Sequence, residues 1–124
     1  MAAQIKISDA EWEVMKILWA SSPMTANDIA AILETRQKWN PRTTKTLLNR
    51  LLKKRAVKYV EEGHHYLYRP AVTQEACVRR ETQTFITRVF GGAFSPLLVH
   101  FVKDAKLSPD EINELKRLLE QKEQ

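Results

Sequence analysis

The spacing of apolar residues changes character once, near residue 56, and changes back near residue 73. Up to that first point they recur at helical intervals. From Val57 to Pro70 the chain is instead rich in Val and Tyr, as in a strand pair, with Glu61-Glu62-Gly63-His64 reading as its turn. Three helix starts can be read ahead of the change. Ser8 with Glu11 forms a capping-box pattern before Trp12, Met15 and Trp19, and Thr25 with Asp28 precedes Ile29, Ala30 and Leu33. Asn40-Pro41 pairs an N-cap with a proline at the first helical position, and Leu47, Leu48 and Leu51 supply the stripe of a third helix running to about Lys54. Three short helices followed by a hairpin is the element order of a winged helix-turn-helix. A brief strand near Pro23-Met24 is expected to complete a three-stranded sheet.

Beyond Thr73 helical spacing returns. Phe85, Ile86, Val89 and Phe90 precede a break at Gly91-Gly92. Ser95-Pro96 is expected to start a short apolar helix with Leu97, Leu98, Phe101 and Val102. Ser108-Pro109 with Glu111 starts a last one, with Ile112, Leu115, Leu118 and Leu119 on one face. These helices are too short and too apolar to stand alone, which predicts burial against a second copy. The expected fold is thus mostly α with a small β hairpin. Residues 1–70 form a winged-helix DNA-binding domain, and residues 71–124 form a helical dimerisation region of a homodimer.

Charge is distributed as unevenly as the pattern. The net charge of +5 lies wholly within residues 1–70, and Arg36 to Lys58 holds nine basic residues and no acidic one. With Thr44 and the leucines turned inward, the third helix presents Arg42, Thr43, Lys45, Thr46, Asn49, Arg50 and Lys53. Cations reach phosphates or guanine edges, while short hydroxyl and amide side chains approach bases closely, so this face suits double-stranded DNA. A merely solvated face normally mixes signs. A protein-interaction surface for an acidic partner would need charge alone, without the Thr and Asn, and a sequence-blind DNA binder is the third alternative. His64 at the hairpin tip is a candidate contact to DNA backbone or minor groove.

Other chemistry finds little support. Adjacent His64 and His65 would point to opposite faces of a strand, and no closely spaced third ligand accompanies them, so no metal site is assigned. No phosphate-binding glycine loop, nucleophile elbow or H-E-x-x-H occurs; no catalytic residue, enzymatic activity or cofactor is assigned. The single cysteine, Cys77, excludes an internal disulfide framework and fits a reducing compartment. With no signal-peptide pattern and no long apolar run, a cytoplasmic protein without membrane insertion is expected.

Three blocks, I-S-D-A-E-W-E-V-M-K-I-L-W, K-W-N-P-R-T-T-K-T-L-L-N-R-L-L-K-K and F-I-T-R-V-F-G-G, together with L-S-P-D-E-I-N-E-L, resemble the penicillinase and methicillin-resistance repressor family from about Ile7 to Leu119. The resemblance implies a homodimeric repressor of antibiotic-resistance genes that binds a palindromic operator. It places DNA contacts at Arg42, Thr43, Lys45, Thr46 and Arg50. It further implies relief of repression through a membrane sensor-protease pathway, by cleavage at a bond matching His100-Phe101, with His100 where relatives carry Asn. The chain ends E-Q-K-E-Q, without the paired Cys-x-Cys motifs of the copper-responsive branch, which argues against copper sensing by that route. Arg55 stands where the family often has Gly after the third helix.

Overall fold

The computed structural model describes residues 5–123, which fall into two compact units divided after Thr84. The first contains α1 (Asp9–Ala20), α2 (Ala26–Gln37), α3 (Pro41–Lys53), β1 (Val57–Glu62) and β2 (His65–Pro70). Helix α4 (Gln74–Phe90) begins in this unit and ends in the second, which also holds α5 (Phe94–Asp104) and α6 (Pro109–Glu123). Among the described residues no single helix is long and apolar enough to cross a membrane.

Local chemistry sets the first helix boundaries. Ser8 Oγ accepts the Glu11 N–H at 3.2 Å while Glu11 returns a carboxylate oxygen to the Ser8 N–H at 2.8 Å, closing the capping box of α1. Thr25 caps α2 by accepting the Asp28 N–H, and Asn40 caps α3 by accepting the Arg42 N–H at 2.8 Å. From α1 the core receives Val14, Met15, Ile17 and Leu18; Trp12 and Trp19 are only half-buried and pack on each other at a centroid distance of 5.5 Å. Ile29 and Leu33 of α2 and Leu47, Leu48 and Leu51 of α3 complete the helical part. Burying each of these aliphatic chains is worth about 1.5–3 kcal/mol before entropy is charged.

The hairpin is antiparallel, with Val57 opposite Pro70 and Glu62 opposite His65. Glu61 and Glu62 therefore belong to β1, and the turn is Gly63-His64 alone. Gly63 has φ +64° and His64 does not enter the left-handed region, which is the arrangement of a type II′ turn. The expected third strand contracts to one residue, because only Met24 pairs. It donates to the Tyr68 carbonyl at 3.0 Å and accepts from the Tyr68 N–H at 2.7 Å; the sheet proper has two strands. The core continues past Pro70. Val72 and Cys77 are buried in it, and the Trp19 indole donates to the Val72 carbonyl at 3.0 Å.

In the second unit α4 ends where Gly91 and Gly92 take φ +62° and +89°, a chain reversal open to glycine at no steric cost. Helix α5 starts earlier than expected. Ala93 is its N-cap, without a side-chain hydrogen bond, so Ser95 and Pro96 lie inside the first turn, where a missing proline N–H is harmless. Ser108 and Glu111 form the capping box anticipated for α6, with bonds of 3.0 and 3.1 Å. Neither α5 nor α6 contains a buried residue. Val102 and Leu119 are 65% and 64% exposed, and Phe94, Leu98, Phe101 and Leu118 also face outward.

Candidate nucleic-acid interface

Helix α3 is divided cleanly by its sequence. Thr44, Leu47, Leu48 and Leu51 are buried, whereas Arg42, Thr43, Lys45, Thr46, Asn49, Arg50 and Lys53 are all exposed. The residues expected to touch DNA thus share one solvent-facing surface. Thr46 donates its hydroxyl to the Arg42 carbonyl at 3.0 Å, which keeps the side chain close to the helix and leaves its oxygen lone pairs outward. Thr44 lies beneath this face, and its hydroxyl has no hydrogen-bond partner among the described residues.

Both ends of α3 are held. Asn40 and Pro41 fix the start. At the other end Arg55 takes φ +66°, the Ala56 N–H donates to the Leu51 carbonyl at 2.9 Å and the Arg55 N–H to the Leu52 carbonyl at 3.0 Å. That pair of bonds is a Schellman cap, so the arginine adopts the left-handed conformation that a glycine would take more easily. Lys54 crosses to α1, where its ammonium meets the Glu11 carboxylate at 2.5 Å and donates to the Lys6 carbonyl at 2.9 Å. Glu11 is only 1% exposed. Burial pushes its pKa up, but the Lys54 ammonium and the Ser8 N–H together prevail and hold the carboxyl below its ordinary range. One member of the basic run therefore has an acidic partner after all, supplied from 43 residues away. Its role is to tie α3 to α1.

Beside α3, the hairpin brings an aromatic face. Tyr59 and Tyr66 stack at 4.5 Å and Tyr59 meets Tyr68 at 5.6 Å; Tyr68 is buried while the other two are about half exposed. Burial pushes the Tyr68 phenol up in pKa, with the neighbouring tyrosines adding to it. His64 is exposed at the tip. A cleft of about 160 Å³ joins the three elements, lined among others by Thr25 and Asn27 at the start of α2, Lys45 of α3, and His64, His65 and Tyr66 of the hairpin. Lys45 and His64 are thereby brought to one place, and because His64 sits in the turn and not on a strand, it lines the same cleft as His65 instead of the opposite face expected. The sequence marks Thr25 as a helix cap only and does not mark Tyr66 or Asn27 as contacts; the alternation of Tyr66 and Tyr68 along β2 is the signal for the hairpin's aromatic face.

His100 and Phe101 lie elsewhere, in the middle of α5. Both are exposed, and His100 Nδ1 stands 3.3 Å from Asp104 Oδ2 one turn further on. The peptide bond between them is helical, so a protease would have to unwind α5 to reach it.

Residues 7–121 match the family described as penicillinase repressor. The penicillinase repressor of Bacillus licheniformis is 34% identical over 116 residues, covering 94% of this chain and 91% of the relative. The methicillin resistance regulatory protein MecI of Mammaliicoccus sciuri is 35% identical over 117 residues, covering 94% and 95%. Among solved structures, the monomeric form of Bacillus licheniformis BlaI in complex with the blaP half-operator superposes with a TM-score of 0.52 at 38% identity, over 57% of this chain and 87% of that one.

Proposed function

The chain belongs to the penicillinase repressor family, and on that premise we propose that it is a cytoplasmic transcriptional repressor that binds a palindromic operator as a homodimer. The observation that carries the reading is the outer face of α3. Arg42, Lys45 and Arg50 alternate there with Thr43, Thr46 and Asn49, all exposed, with no carboxylate on the helix. Guanidinium and ammonium groups neutralise phosphates or reach guanine edges, and the short polar side chains add base discrimination. His64 extends the contact from the hairpin tip. The half-operator complex of the Bacillus licheniformis relative supports this mode of binding.

Within the C-terminal region expected to dimerise, from residue 71 onward, the part after Thr84 serves as the dimerisation part, because Val72 and Cys77 are already buried in the winged-helix core. Its support is the unburied apolar surface of α5 and α6, since monomeric proteins seldom leave so many large apolar side chains in water. Two linked winged helices bind two half-sites with an avidity that neither has alone. Relief of repression follows from cutting His100-Phe101 in a membrane sensor-protease pathway, which separates the DNA-binding part from α6. No part of this mechanism calls for an enzyme activity of the chain itself.

A gel-shift titration of the intact protein on any inverted repeat found upstream of its gene tests the reading. Specific, salt-sensitive binding that falls by about 1–3 kcal/mol in Arg50→Ala is expected if Arg50 reads a base. Equal affinity for the inverted repeat and a scrambled duplex would overturn it. Mass spectrometry of the protein from induced cells tests the proteolytic step, which a full-length chain released from its operator would exclude.

A further inference from the structure

We infer that the cleft between α2, α3 and the hairpin is the seat of a single DNA backbone phosphate, and that Lys45 is spent on this phosphate instead of on a base. The inference rests on the DNA-binding reading and adds to it the division of labour along α3.

The cleft has the composition of an anion site. Lys45 brings a full positive charge, His64 and His65 bring ring N–H groups, and Tyr66, 47% exposed, brings a phenol O–H. Thr25 adds a hydroxyl whose oxygen already accepts the Asp28 N–H at 3.1 Å, which leaves its proton free to be donated outward. No carboxylate is among the lining residues. Its volume of about 160 Å³ leaves room for a phosphate group. Donors come from three elements that are far apart in sequence, so one bound phosphate fixes the hairpin against the start of α2 and sets the register of α3 along the groove. Arg42 and Arg50 do not line this cleft, and they remain available for base edges.

The intact protein is titrated on operator and scrambled duplex over a series of salt concentrations, as wild type, Lys45→Ala and Tyr66→Phe. Lys45→Ala is expected to weaken both duplexes by the same factor, about tenfold, and to lower the slope of log affinity against log salt by about 0.9. Tyr66→Phe is expected to weaken both several-fold without changing the slope. Neutral methylphosphonate linkages are then walked through the half-site. One position should cost the wild type affinity and cost Lys45→Ala nothing further, because both changes remove the same interaction. Loss of operator affinity alone in Lys45→Ala, with an unchanged salt slope, would make Lys45 a base reader and overturn the inference. Failure of the wild type to bind any duplex is a different result, and it would remove the DNA-binding reading itself.

Discussion

The Lys54 ammonium lies 2.5 Å from the carboxylate of Glu11, so the residue that ends α3 is locked to the first turn of α1. Because Glu11 also closes its own capping box with Ser8, one buried carboxylate serves two helix termini. Its folded-state pKa lies below its unfolded value. The stabilisation it provides is therefore complete above the ordinary carboxylate range and is lost as the pH falls through the lowered folded value. Glu11→Gln should be less stable than wild type at neutral pH, and its urea midpoint should fall less steeply between about pH 5 and pH 3. Parallel pH profiles for the two proteins would show that this carboxylate plays no part in acid unfolding.

Arg55 holds a left-handed conformation that costs a non-glycine residue about 1–2 kcal/mol, part of which glycine gives back through its more flexible unfolded chain. Arg55→Gly should accordingly gain about 0.5–1 kcal/mol in chemical denaturation. A loss of stability would mean that the arginine side chain contributes more than its backbone costs.

The unpartnered Thr44 hydroxyl under the exposed basic side of α3 suggests a second stabilising change. Thr44→Val keeps the branched shape and removes a desolvated polar group, for an expected gain of about 1 kcal/mol. Operator affinity should stay as it is, since the outer face is untouched. A destabilised Thr44→Val protein would reveal a buried partner for the hydroxyl.

Truncation separates the contributions of the two units. A chain ending at Thr84 keeps Val72 and Cys77 in the core together with the Trp19 bond, and should fold as a monomer with weakened operator binding. A chain ending at Pro70 loses all three and should unfold at lower denaturant. Sedimentation is the check on the first form: self-association as strong as in the intact protein would place the dimer contact within the winged helix.

What was legible in the sequence was local. Ser8 with Glu11, Asn40 with Pro41 and Ser108 with Glu111 each act within one helical turn, and each cap stands where its residues indicate. The exposed side of α3 followed from the burial of Thr44 and the leucines at helical spacing. Contacts between distant residues were not legible in this way. Nothing near Lys54 announces Glu11, and nothing in the Tyr-rich stretch announces that Tyr66 shares a cleft with Thr25 and Lys45. The start of α5 differs from the expectation for another reason: Ser95-Pro96 fits the first turn as well as it fits a cap, and only the backbone of Ala93 decides. Arg55 shows a limit of reasoning by residue type, because a rigid cap imposed a glycine-like conformation on a residue that disfavours it.

That α5 and α6 bury no side chain of their own has a consequence for gene dosage. If a second copy supplies the missing core, the folding of these helices is a bimolecular event, and their stability rises with the number of chains in the cell. On that premise the first few molecules made would hold neither a closed far end nor both halves of an operator. Repression would set in only past a threshold of synthesis, with the exposed α5 and α6 open to proteolysis below it.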